Sequence, residues 1–195
     1  MDSRLAMARV IDLTPADESL TDEIAQLMFT SFQKYSPEWL PDLARSRVEI
    51  METFDSGRRS RVLLDDDGQL LGWIGAIEDD YAWEIHPIVV SLTGRRKGYG
   101  KLLVNDIINL ARAAGAVSIW AGTGDETHST SFSTIDLYQH AGEAIQAFEA
   151  PGDHPVTFWS GIGFSVVGVL PDGEGLGKPE VHFSLRITSP SLIKN

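Results

Sequence analysis

The sequence predicts a single α/β domain of 195 residues. Residues 83–90 contain the apolar run Ile88-Val89-Val90, which suits a strand buried on both faces. Between residues 101 and 114 the apolar positions recur every three or four residues, which is the period of an amphipathic helix. Residues 117–121 then form another apolar segment. This order of strand, helix and strand predicts two parallel strands joined by a crossover.

The chain before residue 83 predicts a strand, two helices and a hairpin. Residues 8–13 fit a strand, and Thr14-Pro15-Ala16-Asp17 has the Pro and acidic residue of a helix start. A second helix is expected over residues 42–54. Residues 61–64 and 70–77 flank Asp65-Asp66-Asp67-Gly68, which predicts a hairpin. Three Asp residues beside a Gly are more typical of a solvated turn than of a cation site, so no metal is expected.

The second half of the chain predicts an insertion and then a short closing unit. Residues 122–134 are polar and include Asp125 and Glu126, and residues 135–150 have helical periodicity. A late helix is expected from His154, followed by a strand at 165–169, a loop rich in Gly and Pro, and a closing strand at 180–187. The polar segment is either an acceptor-binding loop or a flexible surface loop.

Composition excludes several kinds of function. The chain has 16 Lys and Arg against 28 Asp and Glu, a net charge of −12, which argues against general nucleic-acid binding and suits cationic substrates. There is no cysteine, so disulfides, thiolate metal sites and a cysteine nucleophile are excluded. The sequence shows no apolar segment of membrane-spanning length and no signal-peptide pattern, so we expect a cytoplasmic protein that does not bind membranes.

A basic, glycine-rich turn separates the central strand from the helix that follows it. Three basic residues precede Gly98-Tyr99-Gly100 at the expected helix N-terminus. A helix N-terminus presents unpaired N–H groups and the positive end of the helix dipole, and glycines allow close approach to that backbone. The turn is therefore a candidate phosphate cradle, although an ordinary strand-to-helix turn would have the same local features.

The sequence Arg95-Arg96-Lys97-Gly98-Tyr99-Gly100 fits the pattern Arg/Gln-x-x-Gly-x-Gly/Ala. It resembles the acetyl-CoA-binding motif of the GNAT superfamily of N-acetyltransferases. Trp159-Ser160-Gly161-Ile162-Gly163-Phe164 is similar to the family's late helix ending in Gly-Phe. The resemblance covers about residues 60–187. It implies one GNAT-like domain over residues 1–195 with a helical insertion at about 122–154. Its sheet would be mixed, mostly antiparallel and splayed at the central strand, with helices on both faces.

The resemblance also implies where acetyl-CoA binds. Its pyrophosphate would lie on the turn formed by Arg95, Arg96, Lys97, Gly98, Tyr99 and Gly100. Backbone groups of Val89 and Val90 would hold the pantetheine and polarise the thioester carbonyl. Trp159 occupies the cofactor-site position where the family usually has a tyrosine that protonates the leaving thiolate. Indole is not an acid at neutral pH, so Tyr138, Tyr99 or water would substitute, or the thiolate would leave without help.

Two polar residues of the central strand are candidates for the general base. Glu84 and His86 alternate along the strand and therefore point to the same face. In the family a carboxylate on this strand often takes a proton from the amine, because an ammonium group has no lone pair with which to attack the thioester. The two positions at which family members place this group correspond to His86 and Glu84, and the sequence leaves the choice between them open.

The acceptor is the least determined part of the prediction. By analogy with the family, Trp39 and Trp83, together with Phe32 and Tyr35, would line the acceptor cleft, although each is equally compatible with a place in the core. Asp125 and Glu126 are further candidates. A narrower resemblance to the bacterial aminoglycoside 6′-N-acetyltransferases implies an aminoglycoside acceptor. A polyamine, a protein amine and a CoA-binding role without catalysis remain alternatives, and a homodimer is possible from family habit.

Overall fold

The computed structural model describes residues 8–188, so both ends of the predicted 1–195 domain lie outside the described part. It contains one sheet of seven strands and five α-helices. The strands are β1 (Arg9–Asp12), β2 (Arg58–Leu64), β3 (Leu70–Ile77), β4 (Ala82–Val90), β5 (Ser118–Gly124), β6 (Ser165–Leu170) and β7 (Glu180–Arg186). The helices are α1 (Glu18–Phe32), α2 (Leu43–Glu52), α3 (Tyr99–Ala114), α4 (Leu137–Gln146) and α5 (Val156–Gly161).

The sheet has the strand order β1-β2-β3-β4-β5-β7-β6. All neighbouring strands are antiparallel except β4 and β5, which are parallel and joined through α3. The pairing of β4 with β5 runs only from Ala82↔Ser118 to Glu84↔Trp120. Beyond it, β5 continues along β7 as far as Gly124↔Glu180. The predicted mixed, mostly antiparallel α/β sheet that opens at its central strand is confirmed.

An irregularity in the β3–β4 ladder changes which positions of β4 face the α3 core. The register shifts between Ile74 and Ala76, which pair with Ile88 and Ile85 respectively. Trp83 and Ile85 pack with the α3 core before the shift, and Ile88 packs with that core after it. Glu84 and His86 therefore lie on the opposite face of the strand, toward α2.

Two apolar cores lie on the two faces of the sheet. The larger core buries α3, α4 and α5 against strands of both halves of the sheet. The smaller core packs α1 and α2 on β1 to β4, and no described residue of β5, β6 or β7 belongs to it. On this second face, the half of the sheet formed by β5 and β7 carries polar side chains, and these form the cleft described below.

The insertion between β5 and β6 is helical, as predicted, but its helix is shorter than residues 135–150. Asp136 accepts a hydrogen bond from the Tyr138 backbone N–H and fixes the start of α4. The backbone leaves helical geometry at His140, where φ is −124°. None of the helices within residues 8–188 is long and apolar enough to cross a membrane. The Asp65–Gly68 segment is a hairpin turn in which Asp65 Oδ1 accepts the N–H groups of Asp67 and Gln69.

Candidate active site

The basic turn before α3 has the features of an anion cradle. Arg95, Arg96, Lys97 and Gly98 are exposed. The three basic side chains form no ion pair within residues 8–188. Helix α3 begins without a side-chain cap, and the N–H groups of residues 98–101 have no hydrogen-bond acceptor in the described part of the chain. Four free amides and three cations at one helix N-terminus have the charge and the donors that phosphate oxygens require, so this turn is a candidate phosphate site.

The two glycines of this turn have different roles. Gly98 has φ of +87° and no atom within 4 Å of the place where a Cβ would lie, so its outer side is open to a ligand. A Cβ on Gly100 would lie 2.8 Å from the Phe158 ring, and Gly100 is therefore required by the packing of α5 on α3. Tyr99 is also buried in the α3 core. The exposed side chains of the cradle are thus those of Arg95, Arg96 and Lys97.

The separation of β4 from β5 leaves one edge of β4 without a strand partner. Val89 and Val90 pair with Trp73 and Gly72 of β3, but within the described residues no strand pairs with their other edge. The open edge begins where the β4–β5 pairing ends, at Glu84. It continues along β4 to the end of that strand, shortly before the cradle. The backbone groups of Val89 and Val90 on this edge are therefore available to a ligand, and their predicted contact with pantetheine stays a prediction.

The prediction that Trp159 contacts the cofactor is wrong. Its side chain is only 4% exposed and packs against Phe164 and Phe183. The indole N–H donates to Thr123 Oγ1 at 3.1 Å, which ties α5 to β5. Sequence reasoning placed this residue by analogy with the tyrosine of the family, but a larger apolar ring is accommodated in the core.

The structure gives no support to Tyr138 as a replacement proton donor. Its side chain is 75% exposed, and its hydroxyl donates to Asp172 Oδ2 at 3.1 Å. The hydrogen bond to this carboxylate raises the pKa of Tyr138. A phenol with a raised pKa is a weaker acid, and this one lies at the rim of a surface cavity between α4 and the β6–β7 loop.

Carboxylates and imidazoles meet on the face of the sheet that α1 and α2 leave open. Glu84 and Trp120 are paired on β4 and β5, and β7 contributes Glu180 and His182. His182 contacts Glu180 and Trp120: its Nε2 is 3.0 Å from Glu180 Oε2, and its ring centroid is 5.5 Å from that of Trp120. We call this group of side chains the acidic cleft; it also includes the partly exposed His86 and Glu174, on β4 and the β6–β7 loop, and the buried Glu49 on α2.

The floor of the acidic cleft is bare backbone. Gly122 and Gly124 lie on the same face of β5 as Trp120. A Cβ on Gly122 would overlap the Glu180 carboxylate, and one on Gly124 would lie 2.6 Å from Glu174 Cγ. These two glycines therefore provide the space in which both carboxylates lie against the strand.

His86 lies between two carboxylates. Its Nε2 is 3.4 Å from Glu49 Oε2, and its Nδ1 is 3.9 Å from Glu84 Oε1. Burial by itself would lower the pKa of His86, but the contact with Glu49 and the negative charges of Glu84 and Glu49 outweigh it, and the net shift is upward. Burial acts to raise the pKa of Glu49, yet contact with His86 and the charge of Arg45 lower it overall.

Glu84 and Glu174 have environments that favour the protonated acid. Burial is the largest influence on Glu84 and, with the negative charge of Glu180, raises its pKa above the ordinary value, although His86 opposes the shift. Burial also raises the pKa of Glu174, and the charges of Glu180 and Glu126 add to it. A carboxylate with a raised pKa is a stronger base than one in water, and Glu84 thus has the properties required for proton abstraction.

The aromatic residues predicted to line the acceptor cleft lie in different parts of the structure. Trp39 does contact it, because its ring centroid lies 5.5 Å from that of His86 and 4.8 Å from that of Phe32. The prediction for Trp83 is wrong: it is 2% exposed and packs in the α3 core on the other face of β4. Tyr35 packs against the buried ring of His154.

The prediction that Asp125 and Glu126 bind the acceptor is also wrong. Asp125 is fully buried, and its carboxylate accepts hydrogen bonds from the Ser129 and Thr130 N–H groups and from the hydroxyls of Thr130 and Ser133. Glu126 is 7% exposed and accepts the N–H groups of Glu38 and Trp39. Both carboxylates are occupied by donors of their own chain, so these residues build the loop.

Sequence reasoning missed several residues of the acidic cleft. Glu180-Val181-His182 repeats the alternation of Glu84-Ile85-His86 on a second strand, and this repeat was a usable signal. Glu49 lies on an amphipathic helix whose polar positions looked solvated. Glu174 lies in a turn-rich loop, where nothing in the sequence separates a site residue from an exposed one.

Comparison with known proteins identifies the family. A sequence profile described as the Acetyltransferase (GNAT) family matches residues 22–142, which is more than half of the chain. The chain belongs to the GNAT acetyltransferase family. The prediction of an acetyl-CoA-dependent N-acetyltransferase is thereby confirmed at the level of the family.

Individual relatives of this GNAT chain agree with the assignment. An aminoglycoside 6′-N-acetyltransferase solved with coenzyme A superposes with a TM-score of 0.79 at 27% identity, covering 93% of this chain and 98% of that one. The aminoglycoside 6′-N-acetyltransferase from Enterococcus faecium superposes with the same TM-score and coverage at 28% identity. The uncharacterized N-acetyltransferase YvbK of Bacillus subtilis (strain 168) is 41% identical over 66 residues, which are 34% of this chain and 40% of that relative.

Proposed function

We propose that this GNAT protein transfers the acetyl group of acetyl-CoA to a primary amine of an aminoglycoside, at the 6′ position, and thereby confers resistance in the cytoplasm. The observation that carries the proposal is the acidic cleft, which places Glu84, Glu174 and Glu180 beside the open edge of β4. Several carboxylates around one opening suit an acceptor with several ammonium groups. The two aminoglycoside 6′-N-acetyltransferase relatives support the choice of acceptor.

The residues of the cradle and of β4 fit acetyl-CoA. The free amides of residues 98–101 and the side chains of Arg95, Arg96 and Lys97 would bind the pyrophosphate, and the unpaired edge at Val89 and Val90 would bind the pantetheine amides. Bound acetyl-CoA supplies the activated acetyl group. The β4 N–H groups near the gap would polarise the thioester carbonyl.

We assign the general base to Glu84. The contacts with Glu49 and Glu84 raise the pKa of His86 and so favour its imidazolium form, which has no lone pair with which to accept a proton. The Glu84 carboxylate has a raised pKa and remains a proton acceptor, either directly or through a water. The charge of His86 acts on Glu84 in the opposite direction to burial, lowering its pKa and favouring the ionised form that accepts a proton.

The reaction needs no covalent enzyme intermediate. Glu84 takes one proton of the ammonium group, the amine attacks the thioester carbonyl, and the C–S bond breaks as the amide forms. The second proton of the attacking nitrogen passes through water to the leaving thiolate. Because Trp159 is buried and Tyr138 is bound to Asp172, no side chain of the described residues is assigned to protonate the thiolate. Water takes that role.

The test is thiol release from acetyl-CoA with a panel of amines: kanamycin, tobramycin, gentamicin, spermidine and a lysine peptide. Neomycin and paromomycin provide a matched pair, because paromomycin has a hydroxyl group where neomycin has the 6′-amine. We expect consumption with the aminoglycosides, including neomycin, and none with paromomycin. Consumption only with spermidine or the peptide would replace the acceptor, and acetyl-CoA binding without turnover on any amine would favour a binding role.

A further inference from the structure

Glu126 holds the loop between α1 and α2 by its backbone. One carboxylate oxygen accepts the Glu38 N–H at 2.7 Å, and the other accepts the Trp39 N–H at 3.1 Å. These two N–H groups are consecutive in the chain, so one side chain fixes the orientation of the intervening peptide. Hydrogen bonds to a charged acceptor that is almost completely buried are among the stronger ones in proteins.

The residue held in this way forms a wall of the acidic cleft. Trp39 is half-buried, and its ring packs against those of His86 and Phe32. Its neighbour Glu38 is exposed, and its side chain forms a separate surface ion pair with Lys178. The backbone contact of Glu126 therefore acts directly on a residue whose side chain reaches His86.

The loop that carries Glu126 is itself rigidly supported. The preceding residue, Asp125, uses its carboxylate to bind four donors from residues 129–133, and its backbone N–H donates to the Pro179 carbonyl at 2.9 Å. The insertion after β5 is thus braced against the β6–β7 loop. It presents the Glu126 carboxylate to the α1–α2 loop from a fixed position.

We propose that Glu126 is a positioning residue that holds Trp39 against His86 and so sets the shape of the acceptor side of the cleft. The proposal rests on the proposed function for its effect on acetylation, but the geometric part does not. Glu126→Gln would place an amide NH₂ opposite one of the two N–H groups, so only one of the two hydrogen bonds could remain. The α1–α2 loop would then be released at Trp39 or Glu38.

The geometric part is tested by the histidine resonances of the full-length protein, which has five histidines, with the His86 signal assigned from His86→Gln. Trp39→Leu removes the ring-current effect of the indole and gives the reference shift. We expect Glu126→Gln to move the His86 signal toward that reference. Glu38→Gln is the matched control: it removes the ion pair with Lys178 but keeps the backbone N–H, and it should leave the signal in place.

An unchanged His86 signal in a folded Glu126→Gln protein would overturn the proposal. If that variant does not fold, Glu126→Asp takes its place, because it keeps the charge but is one methylene too short to reach both N–H groups. The same signal decides the outcome with Glu126→Asp. The measurement does not depend on turnover, so a wild-type protein that acetylates no amine would count against the proposed function alone.

The kinetic part separates positioning from simple loss of folded enzyme. For Glu126→Gln we expect kcat/KM for the amine to fall about 10- to 100-fold, as is typical when a reacting group is displaced by a fraction of an ångström to an ångström. The KM for acetyl-CoA should be unchanged, because the cradle lies in the turn before α3, which Glu126 does not contact. A fall in kcat alone, with both KM values kept, would indicate a smaller active fraction and contradict the proposal.

Discussion

Glu49 Oε2 lies 3.4 Å from His86 Nε2, although the two residues are on α2 and β4, which are separated by two strands in the sequence. The Glu49 side chain is almost completely buried and also pairs with Arg45, whereas His86 is partly open to the cleft. This contact joins the helical layer to β4. It also raises the pKa of His86 and lowers that of Glu49, next to the proposed base Glu84.

The first prediction concerns the stability of the pair. The pKa of His86 is raised in the folded state. Its pairing with Glu49 therefore stabilises the fold fully below the unfolded pKa of about 6.5, and this stabilisation is lost as pH rises through the folded pKa. Glu49→Gln should lower the pKa of His86 and cost about 1–2 kcal/mol near pH 6, a figure reduced for the exposure of His86. Urea unfolding at pH 6 and pH 9 checks this, since the cost should shrink at pH 9.

The second prediction concerns the acid limb of the pH–rate profile. Because the pKa of Glu84 is raised by burial and by Glu180 but lowered by His86, the two neighbours should move the limb in opposite directions. His86→Gln should shift the acid limb of kcat/KM to higher pH, and Glu180→Gln should shift it to lower pH. Shifts in the same direction would argue against Glu84 as the titrating group. Glu84→Gln should lower kcat about 10²–10⁴-fold.

The third prediction is that a carboxylate of the cleft destabilises the fold. Burial raises the pKa of Glu174, so the folded state disfavours its charged form. Glu174→Gln should raise the free energy of unfolding by about 0.5–1 kcal/mol at neutral pH. The gain should disappear as pH falls below the ordinary glutamate value of about 4.3, where the wild-type carboxyl group is protonated in both states. Thermal unfolding at pH 7 and pH 4 measures it.

The fourth prediction tests the cradle with two glycines of one helix. Gly98 and Gly115 flank α3 at its two ends, have φ of +87° and +96°, and leave a Cβ in open space. A valine at either position should cost about 1–2 kcal/mol of stability, because both require the left-handed conformation. Only Gly98→Val should also weaken acetyl-CoA binding in calorimetry. Equal affinities in the two variants would remove the phosphate site from this turn.

The fold and the glycine-rich turn before α3 could be predicted because their signals are local. The apolar period of α3 and the glycines before it are properties of consecutive residues, and the structure bears out the helix and the opening of the sheet. The acidic cleft could be predicted only in part. Glu84 and His86 share one strand, but Glu49 and Glu174 reach the cleft through the packing of α2 and the fold of a loop.

The errors at Trp83 and Glu126 have distinct physical causes. The alternation along β4 does place Trp83 opposite Glu84, so the error came from giving an aromatic residue near the cleft a site role by analogy. Glu126 was mistaken for a substrate-binding residue because the local sequence is the same whether its carboxylate binds a substrate ammonium or two backbone N–H groups. Only the position of the α1–α2 loop separates these cases, and no local pattern encodes that position.

The absence of a side chain at Gly122 affects how readily mutation can change the range of acceptors. Its hydrogen atom occupies the space that a methyl group would need, next to the Glu180 carboxylate. A change of one amino acid at this position, to alanine, would displace a negative charge from the cleft while leaving Glu84 and the cradle intact. Selection on an acceptor with fewer ammonium groups, in a laboratory library or in nature, therefore has a short mutational path through a residue that carries no functional group of its own.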